Sequence, residues 1–338
     1  MSETLDYGPL GRLALSRATV DRATERRTDS AWIEQVWADP RTRVLVVHDG
    51  RALARDNGDG YDLLLIPAAE APSGTRFLLG VDDEDVAYFG VSGELPADGT
   101  PSRADGDRAG AREDSAGDRS GYRGYKPTTL RQIGAALSDR DAGLFTHAVA
   151  LANWHDSHTH CPRCGTPTVP APAGHLTACP KDGTEHFPRI DPAVIMLVTD
   201  SGDRCLLARN AAWPQGRMSV LAGFVEPGES SEQAVAREVF EESSLRVGQI
   251  HYLGSQPWPM PRSLMLGFQS VAPGAQEIRV DEEEIAEARW FTRPGLRAAI
   301  DSGEVSIAPT SSIARRLIEY WYGSDLPDVP GAWGPPGR

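Results

Sequence analysis

The sequence is short of positive charge, of cysteine and of long apolar runs. Its 34 basic residues stand against 48 acidic ones, a formal charge of -14. That balance excludes a broad polyanion-binding surface, so any phosphate-bearing ligand has to be met by local groups or by cations. No run approaches the roughly 20 apolar residues that a membrane-crossing helix needs. The start, Met1-Ser2-Glu3-Thr4-Leu5-Asp6, is neither basic nor followed by an apolar stretch, and no secretory signal is expected. With four cysteines in 338 residues a disulfide scaffold is excluded, and the three that cluster suit a metal in a reducing, cytoplasmic setting. The fourth, Cys205, lies in an apolar strand pattern and reads as a small buried hydrophobe. The length has room for two or three domains.

Apolar residues are nearly missing between Leu95 and Gly124, where Ala, Asp, Gly, Arg and Ser dominate. Such a stretch cannot offset its own ordering entropy, and a disordered insert is expected at about 95–124. From Leu326 onward Pro and Gly dominate, which predicts a flexible tail over 326–338.

What is present centres on Gly223-Phe224-Val225-Glu226-Pro227-Gly228-Glu229 and the run that follows it. A Gly/Pro turn precedes good helix formers, with Ser230 and Ser231 as candidate N-caps, so a helix is predicted over Ser231 to Ser243. On it Glu238, Glu241 and Glu242 fall at i, i+3 and i+4 and share one face. Carboxylates so crowded repel unless a cation sits among them, and oxygen ligands suit Mg²⁺ or Mn²⁺. The plainer alternative is a solvated acidic face. Arg237 stands beside these acids as a partner for Glu229.

Upstream, Cys161-Pro162-Arg163-Cys164-Gly165 forms a knuckle with two thiols in reach of one Zn²⁺, and Cys179-Pro180-Lys181-Asp182-Gly183 repeats the spacing with Asp in the last place. Three thiolates and a carboxylate make a closed structural site. His186 is the rival fourth ligand, and a ribbon that has lost its metal is the alternative. The nearby His147, His155, His158 and His160 are expected to be solvated rather than to be ligands.

Before the ribbon, short apolar runs at 44–47, 63–66, 77–80 and 86–89 predict an antiparallel sheet domain, with a short helix over 31–38. Two further helices are predicted over 130–137 and 142–155. After the ribbon, 193–198, 204–208 and 218–222 read as strands feeding the acidic helix, with a hairpin turn at 200–203, and 245–247 and 250–253 return to strand. Then comes Ser255-Gln256-Pro257-Trp258-Pro259-Met260-Pro261-Arg262-Ser263. Its alternate prolines stiffen a backbone that offers an aromatic face and polar groups, which suits a flat, hydrogen-bonding ring; a Pro-rich surface loop is the alternative.

The acidic stretch resembles the Nudix box at Gly223, Glu229, Arg237, Glu238, Val239, Glu241, Glu242 and Leu245, and departs from it at Ser244, where the family has Gly. The segment 255–263 is similar to the signature of the NADH pyrophosphatase branch, with Met260 where the branch has Phe. That branch also has a zinc ribbon directly before the Nudix fold and a Nudix-like domain before that. The resemblance implies a Nudix α/β/α sandwich at 189–325, a zinc ribbon at 158–188 and a degenerate Nudix-like N-terminal domain at 1–157. It implies Mg²⁺ or Mn²⁺ held by Glu238, Glu241, Glu242 and Glu284 with the carbonyl of Ala222, and structural Zn²⁺ in the ribbon. Glu241 and Glu242 are the candidates for the catalytic base. Substrate contacts are implied at Phe187, Phe224, Gln256, Pro257, Trp258, Pro259, Met260, Pro261, Arg262 and Ser263, and at Ala314 through its backbone. The implied activity is hydrolysis of NADH or NAD⁺ to AMP and nicotinamide mononucleotide, extending to NAD caps on RNA 5′ ends, by a homodimer. ADP-ribose or dinucleoside polyphosphate hydrolysis and an idle NAD-binding sensor are the competing readings.

Overall fold

The computed structural model describes residues 7–96 and 122–328. Most of the expected insert and residues 329–338 of the expected tail lie outside the described residues. The chain divides into two compact units, Ala18–Pro188 and a second that joins Met1–Arg17 to Arg189–Arg338.

In the unit Ala18–Pro188, helix α1 (Ser30–Ala38) is capped by Asp29, whose carboxylate accepts the Trp32 N–H. Strands β1 (Arg43–Val47), β2 (Arg51–Asp56), β3 (Tyr61–Leu63), β4 (Leu65–Pro67), β5 (Thr75–Val81), β6 (Ala87–Ser92) and β7 (Lys126–Thr129) form two sheets, ordered β4-β1-β6-β5 and β3-β2-β7. The expected all-antiparallel sheet is corrected here, because β1 and β6 run parallel. Short apolar runs carry no strand direction, and the connection through β5 reverses it. The single run 63–66 also divides, giving β3 to one sheet and β4 to the other.

Helix α2 (Leu130–Ile133) is shorter than predicted and passes into a 3₁₀ turn at Gly134–Ala136. Helix α3 (Asp139–Ser157) begins earlier than its apolar stripe, at an N-cap where Ser138 accepts the Asp141 N–H. His155 departs from the expectation of a solvated side chain: it is buried, and its Nε2 lies 2.8 Å from the Gly174 carbonyl. The unit ends in a three-stranded antiparallel ribbon, β8 (Val169–Pro170), β9 (Thr177–Ala178) and β10 (Glu185–His186).

The other unit is built on β11 (Asp191–Asp200), β12 (Cys205–Asn210), β13 (Leu221–Phe224), β14 (Gly248–Trp258), β15 (Ser263–Ala272) and β16 (Ile285–Phe291), with helices α4 (Ser231–Ser243), α5 (Arg293–Asp301) and α6 (Ile313–Tyr322). The sheet order is β14-β15-β11-β12-β16, with β13 paired to β11. Alternate side chains of a strand leave opposite faces. Ile195 and Leu197 accordingly pack with Leu296, Ile300, Ile313 and Leu317 of α5 and α6. Val194, Met196 and Val198 pack with Ala234, Val235 and Val239 of α4. Both faces of β11 are covered, which is why its sequence is continuously apolar rather than alternating. The result is the α/β/α sandwich that the sequence led us to expect.

Leu326, where the flexible tail was predicted to begin, is instead buried. Its N–H donates to Glu319 at 3.1 Å and its carbonyl accepts from Arg315.

Candidate active site

The helix α4 keeps the predicted bounds and starts in a capping box: the Gln233 N–H donates to Ser230 Oγ at 3.3 Å and the Ser230 N–H to Gln233 Oε1 at 2.8 Å. Two orphan donors are thus satisfied at the end where the loop from β13 enters. Arg237 ties that loop to the helix. Its guanidinium donates to Glu229 Oε2 at 3.2 Å, to Glu238 Oε1 and Glu241 Oε2 at 2.9 Å each, and to the Phe224 carbonyl at 2.9 Å. The Glu226 N–H closes the loop on Glu229 Oε1 at 2.8 Å. The Arg237 bond holds the Glu229 carboxyl below its ordinary range.

Gly223 faces this helix. A Cβ there would lie 1.9 Å from Glu238 Cδ and 2.0 Å from its Oε1, so any side chain at this position would displace the carboxylate. The sequence signalled Gly223 as a motif position, but its physical reason appears only when β13 and α4 are packed together.

Glu242 is buried, and its Oε2 has no hydrogen-bond partner. Burial first, then the like charges of Glu238, Glu284 and Glu241, push its carboxyl up to about 8. Burial also raises Glu238, against the pull of Arg237. Glu284, at the turn before β16, is the residue of the acidic stretch 281–287 whose charge acts on both Glu238 and Glu242. Its backbone is pinned by bonds from its N–H to Asp281 (3.1 Å) and from the Ala211 N–H to its carbonyl (2.8 Å). Glu287 is instead drawn to Arg289 at 3.4 Å and Arg209 at 3.9 Å. An orphaned buried carboxylate oxygen among like charges has the donor chemistry of a Mg²⁺ or Mn²⁺ site.

Ser244 closes α4 in the left-handed conformation, φ 58° and ψ 12°, as the family's Gly would. Its hydroxyl donates to the Arg279 carbonyl at 3.0 Å, a bond no glycine could make. The box feature that favoured an idle sensor therefore leaves the helix end intact.

The segment 255–263 is not a free loop. Its first half completes β14, an edge strand that tolerates Pro257 because that edge needs no N–H there. Trp258 is half-buried opposite Ser263, Pro259 is buried and Pro261 exposed, and Met260 sits in the turn between the strands. Arg262 donates to Asp191 at 2.7 Å, and Asp191 also accepts from Arg189 at 2.6 Å. Gln256, expected at the nucleotide, is fully buried, accepting the Leu15 N–H at 3.3 Å and donating to the Ser311 carbonyl at 3.0 Å. The segment 7–17 carries no motif, and its one signal in the sequence is the apolar trio Leu10, Leu13 and Leu15. Ala222 lies in β13 opposite Ile195, and Phe224 is 57% exposed next to it. Ala314 is buried in the first turn of α6, its N–H 3.2 Å from Ser312 Oγ.

In the ribbon of the other unit, one ligand atom from each of Cys161, Cys164, Cys179 and Asp182 falls within 4.8 Å of the rest. Among the described residues this is the one such cluster; the glutamates around Arg237 are spread more widely. The two knuckles share one backbone design. Cys161 N–H donates to Thr166 and Gly165 N–H to Cys161, and Cys179 N–H donates to Thr184 and Gly183 N–H to Cys179, at 2.8 to 2.9 Å. Asp182 takes the place of the fourth thiol, while His186, the rival, stands outside the cluster with a buried, unpartnered Nε2. The donor set fits structural Zn²⁺. Phe187, just beyond, is 64% exposed.

Family models match in the order the architecture suggests: an NADH pyrophosphatase-like rudimentary NUDIX domain over 41–154, an NADH pyrophosphatase zinc ribbon domain over 156–187 and a NUDIX domain over 189–308. The NAD-capped RNA hydrolase NudC of Mycobacterium bovis is 41% identical over 322 residues, 91% of this chain and 94% of its own. The chain belongs to the NADH pyrophosphatase branch of the Nudix family. Human NAD-capped RNA hydrolase NUDT12 is 32% identical, covering 90% of this Nudix chain and 72% of its own. A solved NUDIX hydrolase from Nitrosomonas europaea, 22% identical, covers 50% of this chain with a TM-score of 0.38.

Proposed function

We propose that this chain hydrolyses the pyrophosphate bond of NADH and NAD⁺ to AMP and nicotinamide mononucleotide, and removes NAD caps from RNA 5′ ends. The observation that carries the reading is the buried, unpartnered oxygen of Glu242 set among Glu238, Glu241 and Glu284. These carboxylates would hold Mg²⁺ or Mn²⁺, with the carbonyl of Ala222. When bound, such ions neutralise the diphosphate and lower the pKa of water. The names of the mycobacterial and human relatives support the choice of dinucleotide.

The chain's own residues do the rest. Arg237 holds Glu238 and Glu241 at fixed positions on α4 and keeps the entering loop closed. In the reaction a water oxygen bonds to one phosphorus and the bond from that phosphorus to the bridging oxygen breaks. The second phosphate leaves as a monoester, and the water proton passes to a carboxylate, Glu241 or Glu242. Trp258 and Phe224 offer ring faces to the base. The net charge of -14 suits a small dinucleotide, or an RNA held mainly by its end. The same reading includes a homodimer, which analytical ultracentrifugation tests, and a cytoplasmic setting.

The test is release of AMP and nicotinamide mononucleotide from NADH with Mn²⁺. Turnover by the wild type and near-total loss in Glu242→Gln are expected. Faster hydrolysis of ADP-ribose or diadenosine tetraphosphate than of NADH would move the assignment to another Nudix substrate class, and binding without turnover would make the chain a sensor.

A further inference from the structure

Residues 7–17 fall outside all three matched domains, yet they belong by contact to the catalytic unit. They lie on a notch in its sheet. Gly254 and Gly267 face each other across β14 and β15, leaving bare backbone where side chains would normally stand. A Cβ on Gly267 would come within 3.4 Å of Leu10 Cδ1 and 3.0 Å of Ile313 Cδ1, and one on Gly254 would sit 3.8 Å from Leu10 Cβ. Leu10 fills the notch and, with Leu13, is buried in the same core as α6.

Polar bonds then run along β14 toward Trp258. Leu10 N–H donates to the Leu253 carbonyl at 3.4 Å, Ser16 Oγ to the Ser255 carbonyl at 3.0 Å and Leu15 N–H to Gln256 Oε1 at 3.3 Å. From the other end of its amide, Gln256 donates to the Ser311 carbonyl at 3.0 Å, in the turn that enters α6. Gln256 is two residues from Trp258 and wholly buried, so it joins three separate stretches of chain without facing solvent.

We propose that the N-terminal segment is a brace of the substrate pocket, acting through Gln256 as a positioning residue that fixes the Trp258 strand against the Ser311 turn. The inference rests on the reading of that strand and turn as walls of the dinucleotide site. A buried amide bonded to two backbone groups holds both to one geometry, because losing it removes two hydrogen bonds away from water.

The experiment compares full-length wild type with Gln256→Met, which keeps the volume and loses both bonds, and with Leu10→Ala, which empties the notch. For both variants we expect the KM for NADH to rise about tenfold with kcat within about twofold, the pattern of weakened binding rather than altered chemistry. Hydrogen exchange should quicken in 7–17 and around 311–314 in Gln256→Met while α4 keeps its protection. Gln256→Glu, which retains the acceptor for Leu15 but sets a carboxylate against the Ser311 carbonyl, should quicken exchange at the turn more than in the segment. An unchanged KM in both variants, a fall in kcat alone, or unchanged exchange in 7–17 overturns the brace. If wild type releases no AMP from NADH, the functional reading fails, and the exchange data still decide whether Gln256 couples the segment to the turn.

Discussion

Ser244 puts two energies of similar size in opposition, and the balance between them can be measured. A non-glycine residue in the left-handed region costs roughly 1–2 kcal/mol. Against this, the Ser244 hydroxyl gains a 3.0 Å bond to the Arg279 carbonyl, of a kind that contributes about 0.5–1.5 kcal/mol net. The backbone around it is held the same way whatever the side chain, with Ser244 N–H on Phe240 at 2.8 Å and Arg279 N–H on Ser243 at 3.0 Å. Ser244→Gly removes both the strain and the bond, and is expected to stay within about 1 kcal/mol of wild type. Ser244→Ala keeps the strain and loses the bond, and should weaken the end of α4 by about 1 kcal/mol. Native-state hydrogen exchange at the Ser244 and Leu245 amides reads this locally, which suits a chain of two units better than a global melt. The Ala variant should exchange about fivefold faster than wild type, with Gly near wild type. An Ala variant that exchanges at the wild-type rate would show that the hydroxyl bond stabilises nothing. A Gly variant protected more than tenfold over wild type would show that strain dominates.

Four other expectations follow from the site and the ribbon. Gly223→Ala should fold, because the group its Cβ meets is the far end of the flexible Glu238 side chain, but that carboxylate must move; Mn²⁺ titration by calorimetry should show weakened binding comparable to Glu238→Gln, and wild-type affinity would refute the close approach. The Glu242 carboxyl is raised from 4.5 to about 8, so the ion-free folded state holds its proton more tightly than the unfolded state does. The stability it contributes is complete below the lower value and is lost as pH rises through the upper one, so melts in chelator should fall over that window and flatten in Glu242→Gln. Over the same window Mn²⁺ must displace that proton, and affinity should rise by up to about tenfold per pH unit. In the ribbon, Asp182→Ala should release Zn²⁺ to a chromophoric chelator faster and Asp182→Cys more slowly than wild type; release quickened equally by His186→Ala would return His186 to the site.

What the sequence determined by itself is mostly what lies within a turn or two of one residue. The bounds of α4, a cap at Ser230 or Ser231, the shared face of Glu238, Glu241 and Glu242, the Arg237–Glu229 pair and the two metal knuckles all depend on spacings of a few residues. Caps, i to i+4 neighbours and tight turns are encoded locally, so the chain states them before it folds. The buried run of β11 was legible for the same reason, since a strand covered on both faces cannot alternate.

Tertiary structure decided whatever joins distant stretches. It set β1 parallel to β6, brought the charge of Glu284 to bear on Glu238 and Glu242, and pressed Glu238 against Gly223. It also turned Gln256 inward to bind Leu15 and Ser311, and seated the segment 7–17 on two opposed glycines. No spacing could show these, because each depends on which surfaces meet once the sheet and helices are packed. Packing alone fixes which polar groups are left facing one another in a space closed to water.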